Sequence, residues 1–268
     1  TGKVLLPGFY NVHAHNIMTM LRGYGEGLPL QRWLNERIFP FEAKLSEENT
    51  YWASMLGIAE MLRFGTVSFS DMYFFPDSRA RSVRDSGIKC NMSQSISCFD
   101  DRAYEELPAY HIVEHMIETY HGCDEKRILV DLAPHSEYLT TEKVLRGIAD
   151  QAVAHDLNVQ LHMSETKNEH EECKQRHEGR TPARYLHDCG VFRRPCTVAH
   201  AVWSEPDDWR LMADNGVTVA ANPASNMKLA SGFAPISGMM DAGVRIALGT
   251  DGCASNNNLN MAQDLYLF

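Results

Sequence analysis

Eight short runs rich in Val, Ile and Leu, most of them followed by a stretch of helical character, constrain this chain more than any other feature of its sequence. The strand-like runs fall at residues 4–13, 66–73, 88–96, 128–133, 158–163, 197–203, 217–221 and 244–249. Near-continuous apolar runs of this length suit parallel strands covered on both faces. Residues 45–64, 140–155 and 205–215 carry apolar side chains at helical spacing. The second of these opens on Thr140-Thr141-Glu142; the third follows Ser204 as a cap and stops at Gly216. Another helix opens after Ser255. This alternation predicts an α/β fold, a (β/α)8 TIM-type barrel spanning residues 1–268. A doubly wound open sheet is the competing architecture, and the lack of a GxGxxG turn after the first strand argues against it. Residues 16–44, the longest excursion, read as an active-site loop. The chain opens at Thr1 without a Met and stops at Phe268 inside a helix, which reads as an excerpt cut at both ends.

Charge and cysteine usage narrow the partners. The net charge of −10 argues against a nucleic-acid polyanion and against an anionic membrane surface. It leaves a small-molecule substrate open, because a local site can be basic inside an acidic protein. The seven cysteines are odd in number, scattered and without a CxxC pair, which predicts a reduced, cytoplasmic protein. No apolar run approaches the length of about 18 residues that a membrane span needs.

In a barrel, reactive side chains gather at the carboxyl ends of the strands. The first strand ends in His13-Ala14-His15. Residues two apart on a strand share a face, so both imidazoles can aim at one point as ligands for zinc or ferrous iron. The alternative is a pair of polar histidines at a loop edge. His162 ends the fifth strand, with Glu165 three residues on, placed to sit over a metal without ligating it. His200 ends the sixth strand. Asp251 follows the eighth, either as a ligand or as the cap of the next helix. Each has a structural reading alone; their joint occurrence at four strand tips points to one metal-centred site.

The stretch Leu6-Pro7-Gly8-Phe9-Tyr10-Asn11-Val12-His13-Ala14-His15, with residues 162–166, 222–232 and 248–257, resembles in order and spacing the amidohydrolase superfamily, in its one-metal deaminase and chlorohydrolase branch. The resemblance implies that His13, His15, His162 and Asp251 hold one divalent metal ion, zinc first, iron or manganese next. Two-metal relatives carry a Lys at the end of the fourth strand, where this chain reads Asp131-Leu132-Ala133-Pro134-His135-Ser136. The metal would bring a water toward neutral pKa. Asp251 would orient that water or accept its proton, Glu165 would serve as general acid and base, and His200 would hydrogen-bond the attacking water or the developing charge. A small β-sandwich from flanking segments and a homo-oligomer are further implications.

Within the superfamily, Leu28-Pro29-Leu30-Gln31-Arg32-Trp33-Leu34 and Phe39-Pro40-Phe41-Glu42 are most similar to 5′-methylthioadenosine/S-adenosylhomocysteine deaminases. That similarity implies a nucleoside substrate, with Glu42 on the ribose hydroxyls, Trp33 beside the 5′ end and His135 on the sugar or base. The bland readings are a solvated helix-start carboxylate, a core tryptophan and a structural histidine. Where the family places an arginine against the amino-acid carboxylate of S-adenosylhomocysteine, this chain has Gln94. Arg102 in the following loop is a substitute candidate, with surface arginine as its alternative. Loss of a bidentate donor predicts a preference for neutral 5′ groups: methylthioadenosine, 5′-deoxyadenosine or adenosine. Rival readings are a relative acting on guanine, cytosine or a chlorinated triazine, a ring-opening hydrolase, and a non-catalytic nucleoside-binding barrel. Asp71, at the second strand tip, reads as a supporting hydrogen-bond acceptor rather than a ligand.

Overall fold

The chain folds around one curled parallel sheet, described by a computed structural model for residues 2–268. Its strands are β1 (Phe9–His15), β2 (Thr66–Tyr73), β3 (Lys89–Ile96), β4 (Ile128–Pro134), β5 (Val159–Met163), β6 (Cys196–His200), β7 (Thr218–Ala221), β8 (Arg245–Leu248) and β9 (Asp251–Gly252). They lie in the order β8-β7-β6-β5-β4-β3-β2-β1-β9. β8 runs on through Gly249 and Thr250 into β9, and β9 pairs with β1 through Ala14 and His15. The sheet thereby closes into the expected (β/α)8 barrel. Helical residues such as Val144, Leu145 and Ile148 pack outside it against Leu132, Val159 and Leu161.

The seam between first and last strands is stitched by polar groups. Asn11 Nδ2 donates to Thr250 Oγ1 at 2.7 Å, and Asn11 Oδ1 accepts from Thr250 N at 3.0 Å. A Cβ at Gly249 would stand 2.5 Å from Asn222 Oδ1 and 2.8 Å from the His13 carbonyl oxygen, so only glycine permits the approach. Along the other edge of β1, buried Arg79 donates to Asp71 Oδ2 at 2.9 Å and to the carbonyls of Phe74, Tyr73 and Ser93. Asp71 Oδ1 accepts the backbone N–H of Asn16 at 2.7 Å. This charge-assisted set ties the tips of β2 and β3 to the segment that follows β1.

Several boundaries differ from the sequence expectation. Residues 4–8 are not strand: Pro7 has no N–H for the ladder, and Val4, Leu5 and Leu6 are exposed. β1 instead starts at Phe9 and continues through His15. The sixth strand stops at His200 rather than 203, because His200 (φ 75°) and Ala201 (φ 50°) turn the chain through the left-handed region. The helix Glu47–Arg63 is capped by Ser46 in a reciprocal pair with Asn49, and Glu142–Ala154 by Thr141. Glu205, not Ser204, caps Pro206–Asp214; the Ser204 hydroxyl donates to the Ala201 carbonyl instead. The excursion after β1 is no open loop. It holds a 3-10 turn (Asn16–Leu21), then a helical strap of Leu30–Trp33, a π turn Leu34–Ile38 and Phe39–Glu42. Ile17, Leu30, Trp33, Leu34 and Ile38 bury one another in a cluster that reaches Tyr73 and Leu229.

Inside the sheet, Asp131 on β4 accepts from Asn91 Nδ2 at 3.2 Å and Gln160 Nε2 at 3.4 Å. Burial pushes its carboxyl up to about 6. The folded chain therefore keeps a proton here that the unfolded chain has released, and stability from this group is lost as pH rises from about 4 to about 6. Asp131→Asn should raise the Tm near pH 8, by the equivalent of roughly 2–3 kcal/mol, with the gain shrinking near pH 4. Thermal melts at both pH values check this; an equal gain at both contradicts it.

Candidate metal centre

The barrel mouth collects side chains from β1, β5, β6 and β9. His15 Nε2 lies 3.2 Å from His162 Nε2 and 3.1 Å from Asp251 Oδ1, and His13 Nε2 lies 3.4 Å from the same oxygen. Ligand atoms of His13, His162, His200 and Asp251 all lie within 4.8 Å of one another. All five side chains are buried. The sequence reading placed His13, His15, His162 and Asp251 here as ligands with His200 beside them; the mutually close set takes in His200 and leaves out His15, whose Nε2 nevertheless lies within 3.2 Å of both His162 Nε2 and Asp251 Oδ1.

The surroundings decide which atom of each group faces the centre. His15 Nδ1 is 2.8 Å from the Met72 carbonyl oxygen and His162 Nδ1 is 2.8 Å from that of His135. Each Nδ1–H donates outward, so each Nε2 keeps its lone pair for the centre. His200 Nδ1 donates in the same way to Asn226 Oδ1 at 2.8 Å. Asp251 Oδ2 accepts from the hydroxyls of Ser225 and Ser255, both at 2.7 Å. Its Oδ1 and His13 Nε2 are buried without a hydrogen-bond partner. Two orphaned acceptors side by side fit a cation. Tetrahedral ligands at about 2.0–2.1 Å from zinc stand about 3.3 Å apart, which matches the contacts above. Imidazoles with one carboxylate suit zinc, iron or manganese.

Proton affinities tell the same story. Burial lowers His13 to about 4 and takes His162 well below the ordinary histidine value. Burial opposes charge on His15 as well, but the Asp251 carboxylate outweighs it and raises that imidazole to about 9. Burial likewise opposes charge on Asp251, yet His13 and His15 hold it well below the usual carboxylate range. The cluster is built to hold positive charge against Asp251. Backbone strain accompanies it: Ser164 (φ 50°), His200 (φ 75°) and Asp251 (φ 60°) all adopt left-handed conformations at strand tips.

Glu165 stands beside the cluster. Its Oε2 is 3.8 Å from His200 Nε2, and Ser231 Oγ approaches its Oε1 at 3.5 Å. Burial raises its carboxyl. Its turn is fastened by Glu169, whose carboxylate accepts the backbone N–H groups of Ser164 at 2.7 Å and Glu165 at 2.8 Å. Glu169 escaped the sequence reading, although Thr166-x-x-Glu169 is a legible capping box. Ser225, Ser255 and Asn226 escaped it too, since no spacing rule aims a loop hydroxyl at a carboxylate.

One cavity joins these groups to the strap. His15, His135, His162, Glu165, His200 and Asp251 line one side, Trp33, Glu42 and Tyr73 the other. Tyr73 donates its hydroxyl to Glu42 Oε1, and burial pushes the Glu42 carboxyl up against that hydrogen bond. Trp33 packs in the apolar cluster and lines the cavity at once. His135, its ring centroid 4.5 Å from that of His162, is lowered to about 3 by burial. Arg102 is not brought to this cavity: it is half exposed and pairs with Asp100 at 2.9 Å, a partner two residues away that holds it in the loop. Asp71 belongs to Arg79, not to the centre.

The sequence model of the Amidohydrolase family matches residues 4–267. The chain belongs to the amidohydrolase family. It is 42% identical to a 5-methylthioadenosine/S-adenosylhomocysteine deaminase of Dictyoglomus thermophilum, over 99% of this chain and 61% of that protein. It is 43% identical to a 5′-deoxyadenosine deaminase of Methanothermobacter thermautotrophicus, over 99% of this chain and 62% of that protein. The chain thus spans about three fifths of the length of these curated relatives. Among solved structures, an adenosine deaminase from Xanthomonas campestris with bound zinc superposes with a TM-score of 0.88 at 32% identity, over 96% of this chain and 58% of that one.

In this amidohydrolase, replacing both Ser225 and Ser255 with Ala should free Asp251 Oδ2 to rotate and compete with Oδ1. Affinity for a divalent cation should fall about 10- to 100-fold, read by competition with a chelator. Unchanged affinity contradicts the assignment of these hydroxyls.

Proposed function

We propose that the chain carries the catalytic barrel of a hydrolytic deaminase that releases ammonia from the adenine ring of a small nucleoside. The observation that carries this reading is the placement, in one cavity, of Asp251 with its orphaned Oδ1, the buried carboxyl of Glu165 and the Glu42–Tyr73 pair. The two relatives named above, both nucleoside deaminases by name, support it.

His13, His15, His162 and Asp251 would hold a divalent cation, zinc in our reading, which would supply a water acidic enough to attack near neutral pH. The chain's own groups do the rest. Glu165, biased toward its protonated form by burial, gives a proton to the ring nitrogen beside the reacting carbon and carries the next to departing ammonia. His200 donates Nδ1–H to Asn226, so its Nε2 is an acceptor, suited to holding a proton of the attacking water. Asp251, held ionised, would take a proton from that water. Glu42 has one oxygen on Tyr73 and offers the other to the vicinal ribose hydroxyls. Trp33 forms an apolar wall, and His135, neutral through burial, contacts sugar or base.

No arginine lines the cavity among the described residues. A neutral 5′ group is therefore favoured over the carboxylate tail of S-adenosylhomocysteine. The cysteines are all free, in keeping with a reducing compartment, and no helix is long and apolar enough to cross a membrane among the described residues.

Glu165→Gln should keep its metal and lose about 10²- to 10⁴-fold in turnover. Ammonia release from adenosine, 5′-deoxyadenosine and 5′-methylthioadenosine, run beside guanine and a chlorinated triazine, checks both points. Activity confined to guanine or triazine, or full activity in the variant, contradicts the proposal.

A further inference from the structure

A second cavity opens outward from the first, sharing Phe39, Glu42 and Phe74 with it. Its walls are apolar: Leu45, Phe75, Pro76 and Ile112 join the shared aromatics. Three of its six polar side chains are carboxylates. Gln94 lines it, 95% buried by its 5% exposure. The Gln94 Nε2 donates to the Ser95 carbonyl at 3.2 Å, and its Oε1 has no hydrogen-bond partner. Glu42 stands at the junction, with Glu47 and Asp77 further out. Glu47 accepts the Ser78 hydroxyl, and Asp77 accepts Tyr120 at 2.7 Å and His115 at 2.9 Å. His111 and His115 complete the lining, and among the described residues no Lys or Arg contributes to it.

A buried amide oxygen without a donor costs free energy until a ligand supplies one. Against these three carboxylates the basic side chains of the lining are only His111 and His115, the latter already on Asp77, so the cavity disfavours a further anion and favours a cation. The apolar walls between Phe74 and Ile112 suit methylene groups. We propose that this outer cavity is the subsite for a 5′ arm of the nucleoside made of an aliphatic stem ending in an ammonium, with Gln94 Oε1 as its buried acceptor. The inference rests on the deaminase reading and sharpens it. An S-linked aminopropyl arm, which is the S-adenosylhomocysteine arm without its carboxylate, fits these walls; the carboxylate itself faces Glu42, Glu47 and Asp77. A site built around a buried acceptor discriminates strongly against analogues that leave it unpaired.

The test compares kcat/KM for adenosine derivatives carrying 5′-methylthio, 5′-(3-aminopropyl)thio and full homocysteine arms, in the metal-loaded protein and its Gln94→Leu variant. The aminopropyl arm should exceed methylthio by about tenfold or more, with the homocysteine arm lowest. Gln94→Leu should bring the aminopropyl-to-methylthio ratio toward one. The wild-type ranking stands by itself if that variant fails to fold. Turnover of the methylthio compound with no gain from the ammonium, or a preference for the homocysteine arm, overturns the inference and leaves the deaminase reading intact. Turnover of none of the three removes both.

Discussion

Asp251 Oδ1 and His13 Nε2 face each other in the barrel mouth, buried and without a settled hydrogen-bond partner, with His15 Nε2 alone close to the carboxylate oxygen. Much of the site follows from that pairing. Buried acceptors at 3.4 Å are unfavourable unless positive charge lies between them. Without a metal the only remedy is a proton, which is why His15 is raised toward 9 and Asp251 is held ionised. The donors come from opposite ends of the chain, so the centre exists only when the barrel closes. Asn11, Thr250 and Gly249 make that closure and position His13 and Asp251 in the same act. A cation bound by these donors would therefore be thermodynamically linked to barrel closure.

Around the centre the molecule accepts local cost to gain aim. Left-handed residues at the tips of β5, β6 and β9 turn side chains into the mouth at about 1–3 kcal/mol each. The neighbours that hold these turns are buried polar groups: Glu169 on the Ser164–Glu165 backbone, Asn226 on His200, Ser225 and Ser255 on Asp251. Asn226 leaves His200 its Nε2, and the two serines leave Asp251 its Oδ1, on residues that line the cavity. Pre-set orientation of this kind is what lets charged groups act without reorganising.

The parts of this arrangement legible in sequence were those governed by period. Two-residue alternation put His13 and His15 on one face, and strand-end positions located His162, His200 and Asp251. What escaped was set by geometry without period. The strap from Leu30 to Glu42 is built of helices four or five residues long, too short to show periodicity. Pro7 moved the start of β1, and left-handed φ at His200 ended β6 early. Arg102 was drawn to the site by its place in the loop but is captured by Asp100 two residues away. The supporting serines and Asn226 lie on turns whose direction no sequence rule specifies. Gln94 drew notice in the sequence only for the charge it lacks; its buried, unpaired amide oxygen is visible only in the fold.

The central claim is that His13, His15, His162 and Asp251 converge on one cation. Anomalous X-ray scattering at the zinc edge, from crystals of the zinc-loaded protein, tests it most directly. The account predicts a single strong peak about 2.0–2.2 Å from the three Nε2 atoms and from Asp251 Oδ1. A peak away from this cluster, or two peaks within the mouth, would contradict it.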